Sequence, residues 1–168
     1  EFRRVLFRSL IRDLGEVIGI DASGGDVKMT LIPRAKNFDI AIGDSIACNG
    51  VCLTATAIWP DKSFTVELSA ETMRVTNAGT WRSGSLVNLE PSVRAGDAMG
   101  GHYVSGHVDA VGRVMSAKKS GASTVWEFEI PLKLIRYVAP KGSVTINGVS
   151  LTVNAVTGNR FTVNIIAH

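Results

Sequence analysis

Ser45-Ile-Ala-Cys-Asn-Gly-Val-Cys-Leu-Thr-Ala-Thr-Ala-Ile58 returns later in the chain as Ser143-Val-Thr-Ile-Asn-Gly-Val-Ser-Leu-Thr-Val-Asn-Ala-Val156. The two stretches align at a constant offset of 98, with seven of fourteen positions identical. After a one-residue deletion the match resumes at an offset of 97, pairing Phe64-Thr-Val with Phe161-Thr-Val and Leu14-Gly-Glu-Val17 with Val111-Gly-Arg-Val114. A period this long exceeds the roughly 20 to 50 residues of solenoid and propeller repeats. It matches a small autonomous domain, so the chain is read as a tandem duplication with units at residues 1–97 and 98–168.

The same alignment describes the ends. His168 falls opposite Glu71, so residues 72–90 of the first unit have no counterpart, and the second unit is read as incomplete. The uncopied part includes Leu86-Val-Asn-Leu-Glu90, an alternating run expected to complete a sheet. Residues 1–9 match nothing in the second unit. They are read as an artefact of sequence assembly, with a native basic arm as the alternative.

Composition sets the class. With 168 residues, 45% hydrophobic and 20% charged, the chain is expected to be soluble, globular and able to bury a core. No apolar run approaches a membrane span and no secretory signal is evident, so the expected compartment is cytoplasmic. The net charge is +3, but Arg3, Arg4, Arg8 and Arg12 crowd the atypical N-terminus, so neither nucleic acid nor membrane is expected as a partner. Cys48 and Cys52 are expected on one strand, on the same face and about 13 Å apart by strand rise, too far for a disulfide. A structural zinc site is not expected, because no second cysteine pair accompanies them.

Local patterns favour β structure throughout. Glu16–Ile20, Val27–Ile32, Ser45–Cys48, Cys52–Ile58, Phe64–Leu68 and Leu86–Leu89 are short, β-branched or alternating runs separated by Gly, Asn, Asp and Pro. Asn49-Gly50 and Asn147-Gly148 have the composition of tight hairpin turns, and Gly158-Asn159 repeats the signal. Pro131–Val138 predicts a short helix capping a barrel end, with Pro131 at its first position and Leu132, Ile135 and Tyr137 or Val138 near one face. About six strands in so small a unit predict a closed barrel, because closure removes exposed sheet edges.

Five motifs then carry a resemblance: Asn49-Gly-Val-Cys-Leu-Thr54, Glu71-Thr-Met-Arg-Val-Thr76, Val87-Asn-Leu-Glu90, Gly100-Gly-His-Tyr-Val-Ser-Gly-His-Val-Asp109 and Asn147-Gly-Val-Ser-Leu-Thr152. In this order, on this duplication, the chain from about Ile11 to His168 resembles the riboflavin synthase family of lumazine-binding barrels. The resemblance implies an all-β fold of two tandem six-stranded Greek-key barrels, the second truncated here. It implies a homotrimer assembled by a C-terminal helix, association with lumazine synthase, and catalysis without metal or cofactor. The implied reaction joins two molecules of 6,7-dimethyl-8-ribityllumazine by transfer of a four-carbon unit, giving riboflavin and 5-amino-6-(D-ribitylamino)uracil. One departure stands out: the family opens Met-Phe-Thr-Gly-Ile, whereas Leu6-Phe-Arg-Ser-Leu10 stands here. Its duplicate, Val104-Ser-Gly-His-Val108, is intact.

The chemistry requires positioning first. Holding two identical substrates in register makes a bimolecular encounter effectively unimolecular, worth up to roughly 7 to 11 kcal/mol, and a duplicated domain supplies two related pockets. By resemblance the reacting pair sits between the first barrel of one subunit and the second barrel of its neighbour. Cys52 and Ser150 share one repeat position, so one barrel offers a thiol where the other offers a hydroxyl. A thiol with the usual pKa of about 8.5 keeps a few per cent thiolate at neutral pH; the alternative is that Cys52 is a small buried apolar residue. Cys48, opposite Ile146, is read as structural.

The implied catalytic set is Cys52, His107, Ser45, Ser150 and Thr152. His107 is expected to face the site and shuttle a proton, while His102 supports the loop. Implied substrate contacts at the segment ends are Ser9, Leu10, Ile11, Gly106 and Val108. On the strands they are Leu53, Thr54 and Leu151, with Glu67, Leu68, Ser69, Ala70, Glu71 and Thr72 in the first barrel. Asn164, Ile165, Ile166, Ala167 and His168 play that part in the second, and Lys141 approaches from a neighbouring subunit. The rival reading is a non-catalytic lumazine- or flavin-binding protein of the same fold, such as an optical antenna protein, which fold alone does not separate from an enzyme.

Overall fold

The computed structural model describes residues 5–24 and 26–166. Its chain is all-β apart from short helical turns. The first unit runs β1 (Asp13–Gly24), β2 (Asp26–Pro33), β3 (Ser45–Cys48), β4 (Val51–Ile58), β5 (Phe64–Leu68), α1 (Ala70–Val75), a 3₁₀ turn (Asn77–Thr80) and β6 (Leu86–Pro91). The second supplies β7 (Arg113–Ser120), β8 (Ser123–Glu129), a 3₁₀ turn (Leu132–Tyr137), β9 (Ser143–Ile146), β10 (Val149–Thr157) and β11 (Arg160–Ile166).

The six strands of the first unit close into a barrel in the order β1-β2-β5-β4-β3-β6, all neighbours antiparallel. Closure depends on β6. It pairs Leu86–Leu89 with Asp13–Glu16 on one side and Leu89–Pro91 with Ile46–Cys48 on the other. Alternate residues point inward, as a two-residue side-chain period demands, and Val17, Leu31, Ile46, Leu53, Phe64, Val66, Leu68, Val87 and Leu89 form one buried core.

Among the described residues the second unit repeats the order with five strands: its sheet runs β7-β8-β11-β10-β9. The edges β7 and β9 are the counterparts of β1 and β3, the two strands that β6 joins in the first barrel. Its buried core is smaller, Phe128, Val153, Phe161 and Val163, with Trp126, Val144, Ile146 and Leu151 packed against it. The duplicated all-β architecture read from the repeat is present in both units.

Two local expectations need correction. Cys48 and Cys52 do not share a strand. Asn49 and Gly50, at φ +48° and +81°, make the two-residue turn between β3 and β4, and Ala47, not Cys48, pairs with Cys52. The two cysteines therefore lie on adjacent strands and opposite faces, Cys48 in the core and Cys52 outside it. Both are free thiols. The 131–138 segment is a 3₁₀ turn that starts after Pro131, and only part of its expected apolar face is covered: Val138 packs on the second core and Ile135 is half-buried, whereas Leu132 and Tyr137 are 69% and 77% exposed. Residues 7–9 are integrated into the fold: Phe7, Arg8 and Ser9 are buried, and Phe7 pairs with Val104 in an antiparallel bridge. Among the described residues no helix is long and apolar enough to cross a membrane.

Candidate functional site

The repeated hairpins β3–β4 and β9–β10 build two equivalent outward faces. Cross-strand pairing sets Ser45 opposite Thr54 and Ala47 opposite Cys52 in the first unit. In the second it sets Ser143 opposite Thr152 and Thr145 opposite Ser150. Directly opposed residues share a face, so Ser45, Cys52 and Thr54 form one polar surface and Ser143, Thr145, Ser150 and Thr152 the other.

Each face is capped by the opening segment of the other unit. The Cys52 N–H donates to the Gly106 carbonyl at 2.9 Å, and the Ser150 N–H donates to the Ser9 carbonyl at 3.0 Å. Ser9 and Gly106 are themselves repeat partners. Between them the segments cross at Phe7 and Val104, which exchange hydrogen bonds of 2.7 and 3.0 Å. The arrangement is a pseudo-twofold exchange of opening segments. It puts Gly106 and the following His107 and Val108 beside the first unit's hairpin, where Val108 packs on the first core, and Ser9 beside the second.

The chemistry of the two faces differs. Around Ser150, His102 Nδ1 lies 2.7 Å from the serine Oγ, and His102 Nε2 lies 3.1 Å from Thr145 Oγ1. Thr145 also exchanges a 3.0 Å hydrogen bond with Ser9 Oγ. Burial lowers the His102 pKa below its ordinary value, which favours the neutral imidazole. Around Cys52 there is no imidazole partner among the described hydrogen bonds. Burial pushes the Cys52 thiol up, and a hydrogen bond with Ser45 opposes this by less. This upward shift works against the few per cent thiolate expected at neutral pH.

The two histidines have different surroundings. His102 reaches Ser150, whereas His107 is exposed and its backbone N–H makes a long 3.4 Å contact to Ser105 Oγ. His107 lines a cavity of about 620 Å³ together with Gly106, Val108, Val144, Ile146 and Phe161. That cavity lies between β7 and β9 and is also lined by His102 and Thr145, though not by Cys52 or Ser150.

The remaining expected contacts divide by burial. Leu53 and Leu68 belong to the first core, so only their backbone groups can face a ligand. Glu67 is exposed beside Lys28 at 3.5 Å. Ser69 caps α1 by accepting from Thr72 N–H at 3.2 Å, with Ala70, Glu71 and Thr72 in its first turn. Asn164, Ile165 and Ile166 are exposed at the end of β11, the strand equivalent to β5. Leu10, Ile11 and Leu151 are half-buried and Thr152 is exposed. Ala167 and His168 lie outside the described residues.

Lys141 is exposed and holds φ at +67°, its N–H donating to the Val153 carbonyl at 2.7 Å. Its repeat partner is Gly43, at φ +89°, donating to Ala55 at 2.8 Å. Lysine thus occupies a left-handed position that the first unit gives to glycine. Thr145 escaped the sequence reading, although the alternation Ser143, Thr145 on β9 carried the signal.

Comparison with known proteins bears on these faces. A family model described as "Lumazine binding domain" matches residues 8–92 and 105–168, one match per unit. A riboflavin synthase of Mycobacterium bovis is 41% identical over 151 residues, covering 90% of this chain and 75% of that protein. One of Photobacterium phosphoreum is 41% identical over 165 residues (97% and 75%), and one of Brucella abortus is 39% identical over 168 residues (97% and 83%). Among solved structures, LumP complexed with riboflavin superposes with a TM-score of 0.83 at 20% identity, covering 95% of this chain and 86% of that one. LumP complexed with 6,7-dimethyl-8-(1'-D-ribityl) lumazine gives 0.80 at the same identity and coverage. At that identity the likeness shows the shared fold.

Proposed function

Because the chain belongs to the lumazine-binding domain family, we propose that it carries out the riboflavin synthase reaction, converting two molecules of 6,7-dimethyl-8-ribityllumazine into riboflavin and 5-amino-6-(D-ribitylamino)uracil. The observation that carries this reading is the chemical difference between two otherwise equivalent faces, a thiol beside Ser45 on one and a hydroxyl held by an imidazole on the other. Two copies of one substrate must play donor and acceptor. Two identical pockets would give both the same environment; these do not.

In this reading the Ser150 face handles the proton. A neutral His102 within 2.7 Å of Ser150 Oγ can take a proton through the hydroxyl as the acidic methyl group of one lumazine is deprotonated. His107, Gly106 and Val108 line the edge of the Cys52 face. There the protonated thiol and the Ser45 and Thr54 hydroxyls bind the partner lumazine, and the thiol becomes a nucleophile only when a base removes its proton. Thr152 and Leu151 contact the ring on the Ser150 face. The strand-end residues Glu67–Thr72 and Asn164–Ile166 supply polar and backbone groups for the pyrimidine edge, a usual role for a few polar groups in a small-molecule site. Lys141 serves a neighbouring subunit of a homotrimer, consistent with its exposure in the single chain.

The test is to mix the purified protein with the lumazine and follow riboflavin absorbance. Riboflavin formation in proportion to protein supports the reading. Tight lumazine binding without riboflavin overturns it and assigns the chain to non-catalytic binding.

A further inference from the structure

Glu90 is the one carboxylate in the described core. It is the penultimate residue of β6, is fully buried and ranks among the largest fully buried side chains. Its Oε1 accepts the Arg8 N–H at 2.8 Å, and the backbone amides of Leu10 and Ser9 also face the carboxyl group. Its Oε2 has no hydrogen-bond partner among the described residues. The Arg8 guanidinium turns elsewhere, to the Ala98 carbonyl at 3.0 Å and Asp97 at 3.8 Å. The carboxylate is thus met mainly by peptide dipoles of the opening segment rather than by a close ion pair.

Burial without a close counter-ion pushes the Glu90 pKa up, the backbone amides of Arg8, Leu10 and Ser9 oppose this by less, and in the ionised form those amides are charge-assisted partners. What those donors belong to gives the arrangement a consequence. The segment that Glu90 holds is the one whose Ser9, at φ +54°, offers its carbonyl to Ser150 N–H at 3.0 Å. The Ser9 hydroxyl continues to Thr145 and from there to His102. A group fixed in the first barrel therefore reaches the second barrel's polar face through two or three residues of main chain.

We propose that Glu90 is a positioning residue for the Ser150–His102 pair, acting through the backbone of residues 8–10. Its importance for turnover rests on the reading of that pair as reacting groups; the positioning itself does not. Glu90 fixes the opening segment from the first barrel, the segment fixes the Ser150 amide, and the imidazole is thereby held against the hydroxyl. The Cys52 face depends on it less, because the carbonyl that holds Cys52 N–H belongs to Gly106, on the opposite segment.

Amide hydrogen exchange on the isotope-labelled chain tests this without any turnover. Glu90→Gln keeps the shape and removes the charge, so exchange at the amides of Leu10 and Ser150 accelerates about tenfold, the loss expected for one charge-assisted hydrogen bond. The Cys52 amide stays within about twofold of the parent, since its partner bond is untouched. The His102 ring resonances shift in the same variant. Should Glu90→Gln fail to fold, Glu90→Asp, which keeps the charge but shortens the reach, is read in the same way. Unchanged protection at Ser150, or equal acceleration at Ser150 and Cys52, overturns the proposal. The riboflavin assay reports separately on the reaction.

Discussion

Gly50 and Gly148, the second residues of the two repeated turns, lie back to back across the pseudo-twofold. A Cβ on Gly50 would come within 2.7 Å of the Gly148 nitrogen, and one on Gly148 within 3.0 Å of the Gly50 nitrogen. Both hold φ at +81°. Asn88 adds a bond across the same junction, its Nδ2 donating to the Asn147 carbonyl at 3.0 Å, while Asn49 Oδ1 accepts the Asn88 N–H at 2.8 Å. The repeat that exposes the duplication in the sequence is also the surface on which the two copies meet.

Gly50→Ala is therefore expected to cost stability twice, through left-handed strain and through displacement of the facing turn, about 2 kcal/mol or more together. Gly84→Ala is the control. Gly84 has φ +86° with nothing within 4 Å of an added Cβ, so it carries the strain alone. Denaturant unfolding of both variants separates the contact from the strain; equal losses would mean that the junction yields freely.

Gly106 faces the Cys52 side with equal closeness. At φ +74°, its Cβ would lie 2.6 Å from Cys52 Cβ and 3.0 Å from Phe7 Cε2. Gly106→Ala is expected to push the crossing segment off the first hairpin and weaken lumazine binding by about tenfold, a loss of 1.4 kcal/mol. Fluorescence titration with the lumazine measures it.

Lys141 predicts a trade of stability against function. Replacing it by the glycine that its repeat partner Gly43 already uses removes left-handed strain at the expense of chain entropy, a net gain of about 0.5 to 1 kcal/mol. Lys141→Gly should melt at a higher temperature and turn over more slowly. Slower turnover without the stability gain would show that the lysine backbone is relaxed.

The His102 shift has a definite sign. Its folded pKa lies below the unfolded value of 6.5 because burial disfavours the imidazolium. As pH falls below 6.5, the unfolded chain takes up a proton that the folded chain resists, so stability drops from its plateau above that pH. NMR titration of the His102 ring should give a midpoint below 6.5, and His102→Gln should remove this part of the pH dependence. A midpoint above 6.5 would mean that the charged form is favoured at this site.

Much of this was legible in the chain because local chemistry and global pairing agree. Asn49-Gly50 and Asn147-Gly148 dictate tight turns, and the alternation of Leu86-Val-Asn-Leu-Glu90 marks the strand that closes the first barrel. Cys48 and Cys52 are four residues apart, but the Asn49-Gly50 turn between them puts them on adjacent strands. The exchange of opening segments left no local signature. The Cys52–Gly106 and Ser150–Ser9 contacts are backbone bonds between segments far apart in sequence, and periodicity does not encode them. The same contacts decide which histidine meets Ser150. His102 and His107 are indistinguishable by residue type, and only the path of the crossing segment separates them.

The central claim is that the two faces do different work because one carries a thiol and the other an imidazole-held hydroxyl. The most direct test compares kcat with the lumazine Kd in Cys52→Ser, which gives both repeat positions a hydroxyl. The account predicts that kcat falls at least about tenfold, 1.4 kcal/mol of transition-state stabilisation, while Kd changes by less than about threefold. Equal losses in kcat and affinity, or no loss in either, would contradict it and leave Cys52 as a packing residue.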